Sequence, residues 1–348
     1  MGVHSSIRQL GVAFAISAIA LAGCGGSDDD ATGPDAASGN GNGNGNGNGD
    51  GVDRVSYTSE ANVPPEEDDE WRCCKDFGEI SDNPGEIDNA YAELADLLSL
   101  GGVDLEEGIE NQIQDGNLVI LMNHLGVSEE GATYDIEAYL GAFAEGTIYE
   151  DAKAGDGEFE IEDVSFDDQG NPQVVFEDAV LQDGELQAGP TNITLAVGVG
   201  EDALTLDLRD TELRADASFS NGGIQLDNGE LSAYLLVDDL FEALNDFLES
   251  DTCQCLGVGD DPVFVQDGPA DWSSDCREPE GDDGDGDGHT CEEDDICAVL
   301  GSQDSIACTV GIPTLLPPEA DLDTSDDGTN DALSIGLEWV GVPGTIVE

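Results

Sequence analysis

The 348-residue chain carries 80 acidic against 8 basic side chains, a formal net charge of −72 at pH 7. A field of that sign repels phosphate backbones and anionic headgroups, which excludes nucleic acid and anionic membrane surfaces as direct partners. It also opposes compaction unless counter-ions screen it, and the Debye length falls from about 10 Å at 0.1 M to about 3 Å at 1 M salt, so the composition points to a saline or calcium-bearing setting.

In Met1 to Gln9 the side chain of Arg8 is the one basic charge, and Leu10 to Ala22 follows as thirteen residues without a charge. That run has the length of a secretory h-region and is too short to span a bilayer, so the chain is expected to be exported. The run ends in Leu21-Ala22-Gly23-Cys24, which resembles the lipobox of bacterial lipoproteins. The resemblance implies cleavage after Gly23, acylation of the Cys24 thiol and attachment to the membrane through that lipid. It also bears on sorting: Gly25, not aspartate, follows the cysteine, which in a Gram-negative cell implies the outer membrane or cell surface.

Residues 24–70 then read as a tether. Gly25-Gly26-Ser27-Asp28-Asp29-Asp30, a Gly-Asn repeat from Gly39 to Asn48 and an acidic, proline-bearing stretch to Glu70 offer little that could bury a core.

The spacing from Trp71 onward predicts a folded domain over 71–250. In Glu86 to Leu98, residues Ile87, Ala90, Tyr91, Leu94, Leu97 and Leu98 fall on one helical face. A second helix is expected from Val103, with Leu105, Ile109 and Ile113 inward and an end near Asp115-Gly116. The period then changes to two. Leu118 to Met122 is a continuous apolar run, and Tyr134 to Tyr139 alternates. Strand patterns continue through Phe159 to Phe166, Val174 to Phe176, Ile193 to Val197, Leu204 to Leu208 and Leu213 to Phe219. The turn signals Asn221-Gly222-Gly223 and Asp227-Asn228-Gly229 bracket Ile224 to Leu226 and precede Leu231 to Leu235. A closing helix from Asp238 to Glu249 carries Val237, Leu240, Phe241, Leu244, Phe247 and Leu248 on one stripe. Each helix has one apolar stripe to bury, so the expected class is α+β: an antiparallel meander sheet with two or three amphipathic helices packed on one face.

Residues 251–332 shift to Cys, Asp and Gly and read as a disulfide-rich, loop-dominated segment; residues 333–348 space Ile335, Leu337, Trp339 and Val342 like a strand returning to the sheet. With Cys24 set aside as the lipid carrier, eight cysteines remain: Cys73, Cys74, Cys253, Cys255, Cys276, Cys291, Cys297 and Cys308. An even number in an exported chain suggests disulfides, whose connectivity the spacing leaves open. Cys73 and Cys74 either bridge each other or, the favoured reading, each reach into the C-terminal cluster. Zinc at Cys253-x-Cys255 is disfavoured in an oxidising compartment.

The segment 283–294 places Asp283, Asp285 and Asp287 at positions 1, 3 and 5, glycine at 6 and His289 at the carbonyl position 7. It resembles the calcium loops of EF-hands and thrombospondin type 3 repeats, where carboxylates converge on one ion while glycine permits the sharp turn. Asp294 stands at position 12 in place of glutamate. A second such loop has Asp323, Ser325 and Asp327 at 1, 3 and 5, Gly328 at 6, Thr329 at 7 and Asp331 at 9, with Ser334 where glutamate is expected and Asp321 or Asp326 as substitutes. The expected cofactor is structural Ca²⁺.

Catalytic signatures are missing. There is no G-x-S-x-G elbow and no H-E-x-x-H, and His124 reads as a packed or surface residue, not as a base. Gly198 to Ala203 matches a dinucleotide fingerprint but leads into a strand and not a helix. The chain is therefore expected to be a lipid-anchored binding or structural module with an unknown envelope or extracellular ligand. The alternatives are a hydrolase using carboxylates or calcium, and an envelope carrier of an apolar ligand.

Overall fold

The computed structural model describes residues 51–64, 66–67, 70–71, 73–81, 85–92, 105–128, 131–167, 169–199, 202–220, 223–249, 264–268, 271–274, 320–325 and 328–347. In chain order the strands are β1 (Val52–Asn62), β2 (Glu66–Glu67), β3 (Glu70–Trp71), β4 (Val119–Val127), β5 (Ala132–Phe143), β6 (Gly157–Ile161), β7 (Val174–Gln182), β8 (Glu185–Val199), β9 (Asp202–Ser220), β10 (Gly223–Leu236), β11 (Phe264–Gly268), β12 (Asp271–Ser274) and β13 (Ala332–Ile346). Two helices are long enough to bury a stripe, α1 (Leu105–Asp115) and α2 (Val237–Glu249).

Eight strands form a closed antiparallel barrel in the order β1, β4, β5, β7, β8, β9, β10, β13 and back to β1. Apart from β6 and the short β2–β3 and β11–β12 pairs, spatial order is chain order, so the meander expected from the alternating pattern is present. The expected α+β class is not. Strand makes up 59% of the described residues, and the sheet curls until its first and last members meet. Tyr57 pairs with Val342 and Asn62 with Glu338, while β13 pairs on its other edge with β10 from Leu226↔Gly341 to Leu236↔Ala332. Closure removes the row of unpaired N–H and C=O groups that an open sheet would expose. Residues 52–62, which the sequence places in the tether, are therefore a barrel strand. They were inconspicuous because Ser56 and Thr58, both buried in the barrel, are polar.

The helices do not share one face of a sheet. α1 lies against β1, whereas α2 packs on β9 and β10. Of the helix expected over Glu86 to Leu98, Ala90 to Ala92 are helical, with Ala90 and Tyr91 buried; positions from 93 lie outside the described residues.

A second closure sits beside the barrel. Phe159 of β6 pairs antiparallel with Phe143 of β5 and, on its other edge, parallel with Ile346 of β13. β1, β4, β5, β6 and β13 thus form a smaller five-strand ring. It is filled by Tyr57, Leu121, Tyr139, Phe159 and Val342, and capped by Ile109 and Ile113 of α1. Tyr57 and Phe159 stack with centroids 4.8 Å apart. Burying each such side chain is worth about 1.5–3 kcal/mol. β4 is shared by both rings: Val119 and Leu121 face the small one, while Met122 faces the barrel core. A strand buried on both faces needs an unbroken apolar run, which accounts for Leu118 to Met122.

Inside the barrel, small residues oppose large ones across neighbouring strands. Ala179 pairs with Tyr134, Ala188 with Leu213, Ala215 with Leu186 and Ala233 with Ile335. Gly229 is the extreme case: a Cβ there would lie 2.5 Å from the Trp339 indole, so only glycine lets that ring lie over the β10 backbone.

Outside, Glu177, Glu185, Asp216 and Asp227 on β7 to β10 are exposed. A face bearing carboxylates is not a lipid-facing one. Among the described residues no helix is long and apolar enough to cross a membrane. The scarce cations are used as pins. Lys75 Nζ donates to Asp210 Oδ2 at 2.6 Å and Glu212 Oε1 at 2.8 Å, and Arg209 Nη2 meets Asp239 Oδ2 at 2.7 Å, fastening α2 to β9. Burial alone would lower the Lys75 pKa, but its two carboxylate partners outweigh that and raise it.

Candidate functional site

Three polar assemblies could carry chemistry. The first lies in the barrel core, where β1, β4 and β5 contribute one inward side chain each. Ser56 Oγ is 3.0 Å from His124 Nε2, and His124 Nδ1 is 3.2 Å from the Tyr134 hydroxyl. Ser56 and His124 are fully buried and Tyr134 nearly so. A neutral imidazole has one donor and one acceptor nitrogen, so the chain of bonds runs in one direction through the ring and gives each of the three groups a partner. Burial lowers the His124 pKa to about 3 and raises that of Tyr134. A serine beside a histidine suggests nucleophile and base, but an imidazole that weakly basic, sealed from solvent, is a poor proton acceptor at neutral pH. The trio is a latch across three strands. The sequence hid it because Ser56 lay in the presumed tether, although His124 and Tyr134 have matching inward parity.

The second assembly knits residues 73–90 to Asp321 and to Ser334 and Gly336 of β13. The Phe77 N–H donates to Asp88 Oδ2 at 2.8 Å, and the Ser81 hydroxyl donates to the same carboxylate. Asn89 lends its side-chain amide to the ladder: the Gly336 N–H donates to Asn89 Oδ1 at 3.0 Å, and Asn89 Nδ2 donates to the Gly336 and Cys73 carbonyls, both at 3.1 Å. Ser334, fully buried, accepts from the Ala90 N–H at 2.8 Å and donates to Asp321. Burial pushes the Asp321 pKa up to about 6, with the nearby Asp88 carboxylate adding to the rise and the Ser334 bonds opposing it.

The third is the acidic loop after Asp321. Asp323 Oδ2 accepts the Gly328 N–H at 2.7 Å, Asp331 Oδ1 accepts the Thr324 N–H at 2.8 Å, and Ser325 Oγ donates to Asp323 Oδ1 at 3.4 Å. Gly328 has φ +86°, the left-handed geometry that a sharp turn at position 6 requires. Asp323, Ser325 and Asp331 are thus gathered by one turn, whose oxygen donors suit a hard cation. Asp327 lies outside the described residues, and Thr329 is exposed. Ser334 and Asp321, considered for the twelfth position, are bonded to each other in the second assembly and are not free to close the loop. Among the described residues no three His, Cys, Asp or Glu side chains converge as a metal-binding group.

The remaining sequence candidates fall elsewhere. Asp283, Asp285, Asp287, His289 and Asp294 lie outside the described residues, as do Cys24, Cys253, Cys255, Cys276, Cys291, Cys297 and Cys308. Cys73 and Cys74 are described; Cys73 is buried, and their sulfurs lie 3.8 and 3.6 Å from the Leu337 carbonyl oxygen. Asp88 and Asn89 escaped sequence reasoning because each is one polar residue among many, and Ser334 was read only as the last position of the acidic loop; the partners of Asn89 and Ser334 at Gly336 and Ala90 lie 247 and 244 positions away.

Comparison of the chain with protein-family models, curated proteins and solved structures finds no match.

His124 and Asp321 act on stability with opposite sign. His124 is depressed on folding, so its contribution is present above about pH 6.5 and is lost as pH falls toward 3. Asp321 is raised, so its contribution is present below its unfolded value of 3.8 and is lost as pH rises through about 6. Urea unfolding at pH 7 and pH 4.5 separates them: His124→Gln should remove about 2–3 kcal/mol of acid-induced destabilisation relative to the unaltered chain. An equal pH effect in both proteins means that His124 is not held neutral by burial.

Proposed function

We propose that the protein is an exported lipoprotein, anchored through Cys24, whose acidic barrel serves as a non-catalytic binding or structural module at the cell envelope or surface. The observation that carries this reading is Leu21-Ala22-Gly23-Cys24 at the end of the uncharged run that begins at Leu10. The barrel fits beside it. Only 27 residues separate Cys24 from Val52, so the first strand starts no more than about 90–95 Å from the lipid even on a fully extended chain. If the cell is Gram-negative, Gly25 favours the outer membrane.

The absence of catalysis is argued from the core. The serine–histidine pair is sealed, and its histidine is a weak base; both features count against a hydrolase built on it. An eight-stranded barrel is wide enough either to be filled by side chains or to hold one small ligand. The opposition of small and large residues across strands supports a filled interior, and so a binding surface outside the barrel. Calcium at the 323–331 loop, held by Asp323, Ser325, Asp327 and Asp331 with the Thr329 carbonyl, would fasten the approach to β13. The 283–294 loop would act likewise.

Mass spectrometry of the mature N-terminus should find a diacylglyceryl-modified Cys24 as residue one, and Cys24→Ser should release the protein from membranes; an unmodified Cys24 contradicts the anchor. Bound Ca²⁺ stabilises in proportion to RT ln(1 + [Ca²⁺]/Kd). Melting in millimolar Ca²⁺ against EDTA at fixed ionic strength should therefore show a rise that Asp323→Asn reduces. Superimposed curves in both proteins contradict the calcium reading.

A further inference from the structure

The barrel is closed, but one of its hairpins outgrows it. β8 pairs with β7 only from Gln187↔Val180 to Glu185↔Gln182, yet it continues along β9 as far as Val199↔Asp202. β9 in turn leaves β10 at Arg209↔Tyr234. Among the described strands, Thr191 to Val199 of β8 therefore pairs with β9 alone, and its other edge is a row of backbone donors and acceptors without a ladder.

Proteins ordinarily blunt such an edge with lysine, proline, charge or a bulge. Here Pro190 stands before the edge, and Thr191-Asn192-Ile193-Thr194-Leu195-Ala196-Val197-Gly198-Val199 contains no charged residue and no proline, in a chain with 80 carboxylates. The ribbon is backed on one face where it leaves the barrel. Ile193, Leu206 and Leu208 are buried in the core that also holds Leu240 and Phe241 of α2. A backed edge is pre-organised, so a strand added to it need not order the receptor as well.

We infer that the β8 edge from Thr191 to Val199 docks an extended segment of a cationic protein, which adds one antiparallel or parallel strand to the ribbon. Main-chain bonding supplies the affinity. The sign of the partner follows from charge. Asp207 of the neighbouring strand is exposed, pairs with Thr194 and accepts from its hydroxyl at 2.6 Å, so carboxylate charge lies beside the uncharged edge, and the chain as a whole carries −72. A second copy would bring the same carboxylates and the same net charge to the contact, whereas lysine or arginine beside an extended stretch would meet them with opposite sign. The inference rests on the binding-module reading only in needing a surface for that role; it does not require the lipid anchor or calcium.

The test uses the full-length chain and a synthetic decapeptide, Lys-Lys-Val-Thr-Val-Thr-Val-Thr-Lys-Lys, labelled for fluorescence anisotropy. Three companion peptides replace the lysines with glutamates or N-methylate alternate residues on one edge or on the other. Binding of the lysine peptide, weakened about tenfold or more by N-methylation of one edge and abolished by glutamate flanks, is the expected result. Raising NaCl from 0.1 to 0.5 M should weaken it several-fold. Hydrogen exchange should show new protection at Thr191 to Val199. No binding at millimolar peptide, affinity indifferent to N-methylation on either edge, or protection confined to other strands overturns the proposal. So does an edge-to-edge dimer of the chain in sedimentation that the peptide fails to dissociate. Each of these failures leaves the Cys24 mass measurement, and the anchoring it tests, untouched.

Discussion

The ladder between β1 and β13 is the pairing on which the described architecture depends. A twisted antiparallel sheet of seven strands, β4, β5, β7 to β10 and β13, would still have two long edges, and each exposed backbone group would need water or a stray strand. Val55 to Asn62 lies along Glu338 to Gly344 and joins those edges. Because β13 is bonded to β10 on one side and β1 on the other, chain ends nearly 300 residues apart become neighbours. The closing strand is correspondingly constrained. Ser334 is used by the polar clasp, Trp339 needs a glycine opposite it, and Ile346 also serves the smaller ring.

Closure also explains where this acidic chain can afford polarity. Carboxylates crowd the outer face of β7 to β10, where water and counter-ions screen them. Inside, Ser56, His124 and Tyr134 bond to one another, which offsets part of the cost of about 1–3 kcal/mol that an unpaired buried group carries. The few cations are placed at junctions: Lys75 ties the segment after Cys74 to β9, and Arg209 ties α2 to the same strand. High net charge therefore acts on association and salt response more than on the choice of fold.

Much of the meander was legible in the sequence. Alternation located β5, β9 and β10, the Asn221-Gly222-Gly223 signal marked the hairpin between β9 and β10, and the stripes of α1 and α2 gave both helices; Asp227-Asn228-Gly229, expected as a further hairpin turn, is instead a bulge inside the continuous strand β10. Alternation has the same period in an open sheet and in a barrel, however, so it could not distinguish them. What decides is β1, whose inward Ser56 and Thr58 lack the apolar signature and whose position directly after a Gly-Asn repeat suggested more tether. The helices misled for a related reason: a single apolar stripe says that a face is buried but not against what. In the candidate sites, the turn at Asp323 to Asp331 was readable because the residues it gathers are local in sequence. The latch at His124 and the clasp at Asp321 were not, since their partners come from distant strands.

The functional reading follows this division. Local signals carry the proposals of a lipid anchor and of cation loops, and long-range structure argues for a filled, sealed barrel whose outgrown β8–β9 ribbon offers an edge. All of this presupposes that the barrel is one cooperative body closed by β13. Native-state amide hydrogen exchange tests that most directly. Amides of β1, β10 and β13 should exchange with the same opening free energy as those of β4 and β9, at the value for global unfolding. If β13 exchanges through a separate opening of markedly lower free energy while β4 to β10 stay protected, the barrel is not held shut by its last strand and the account fails.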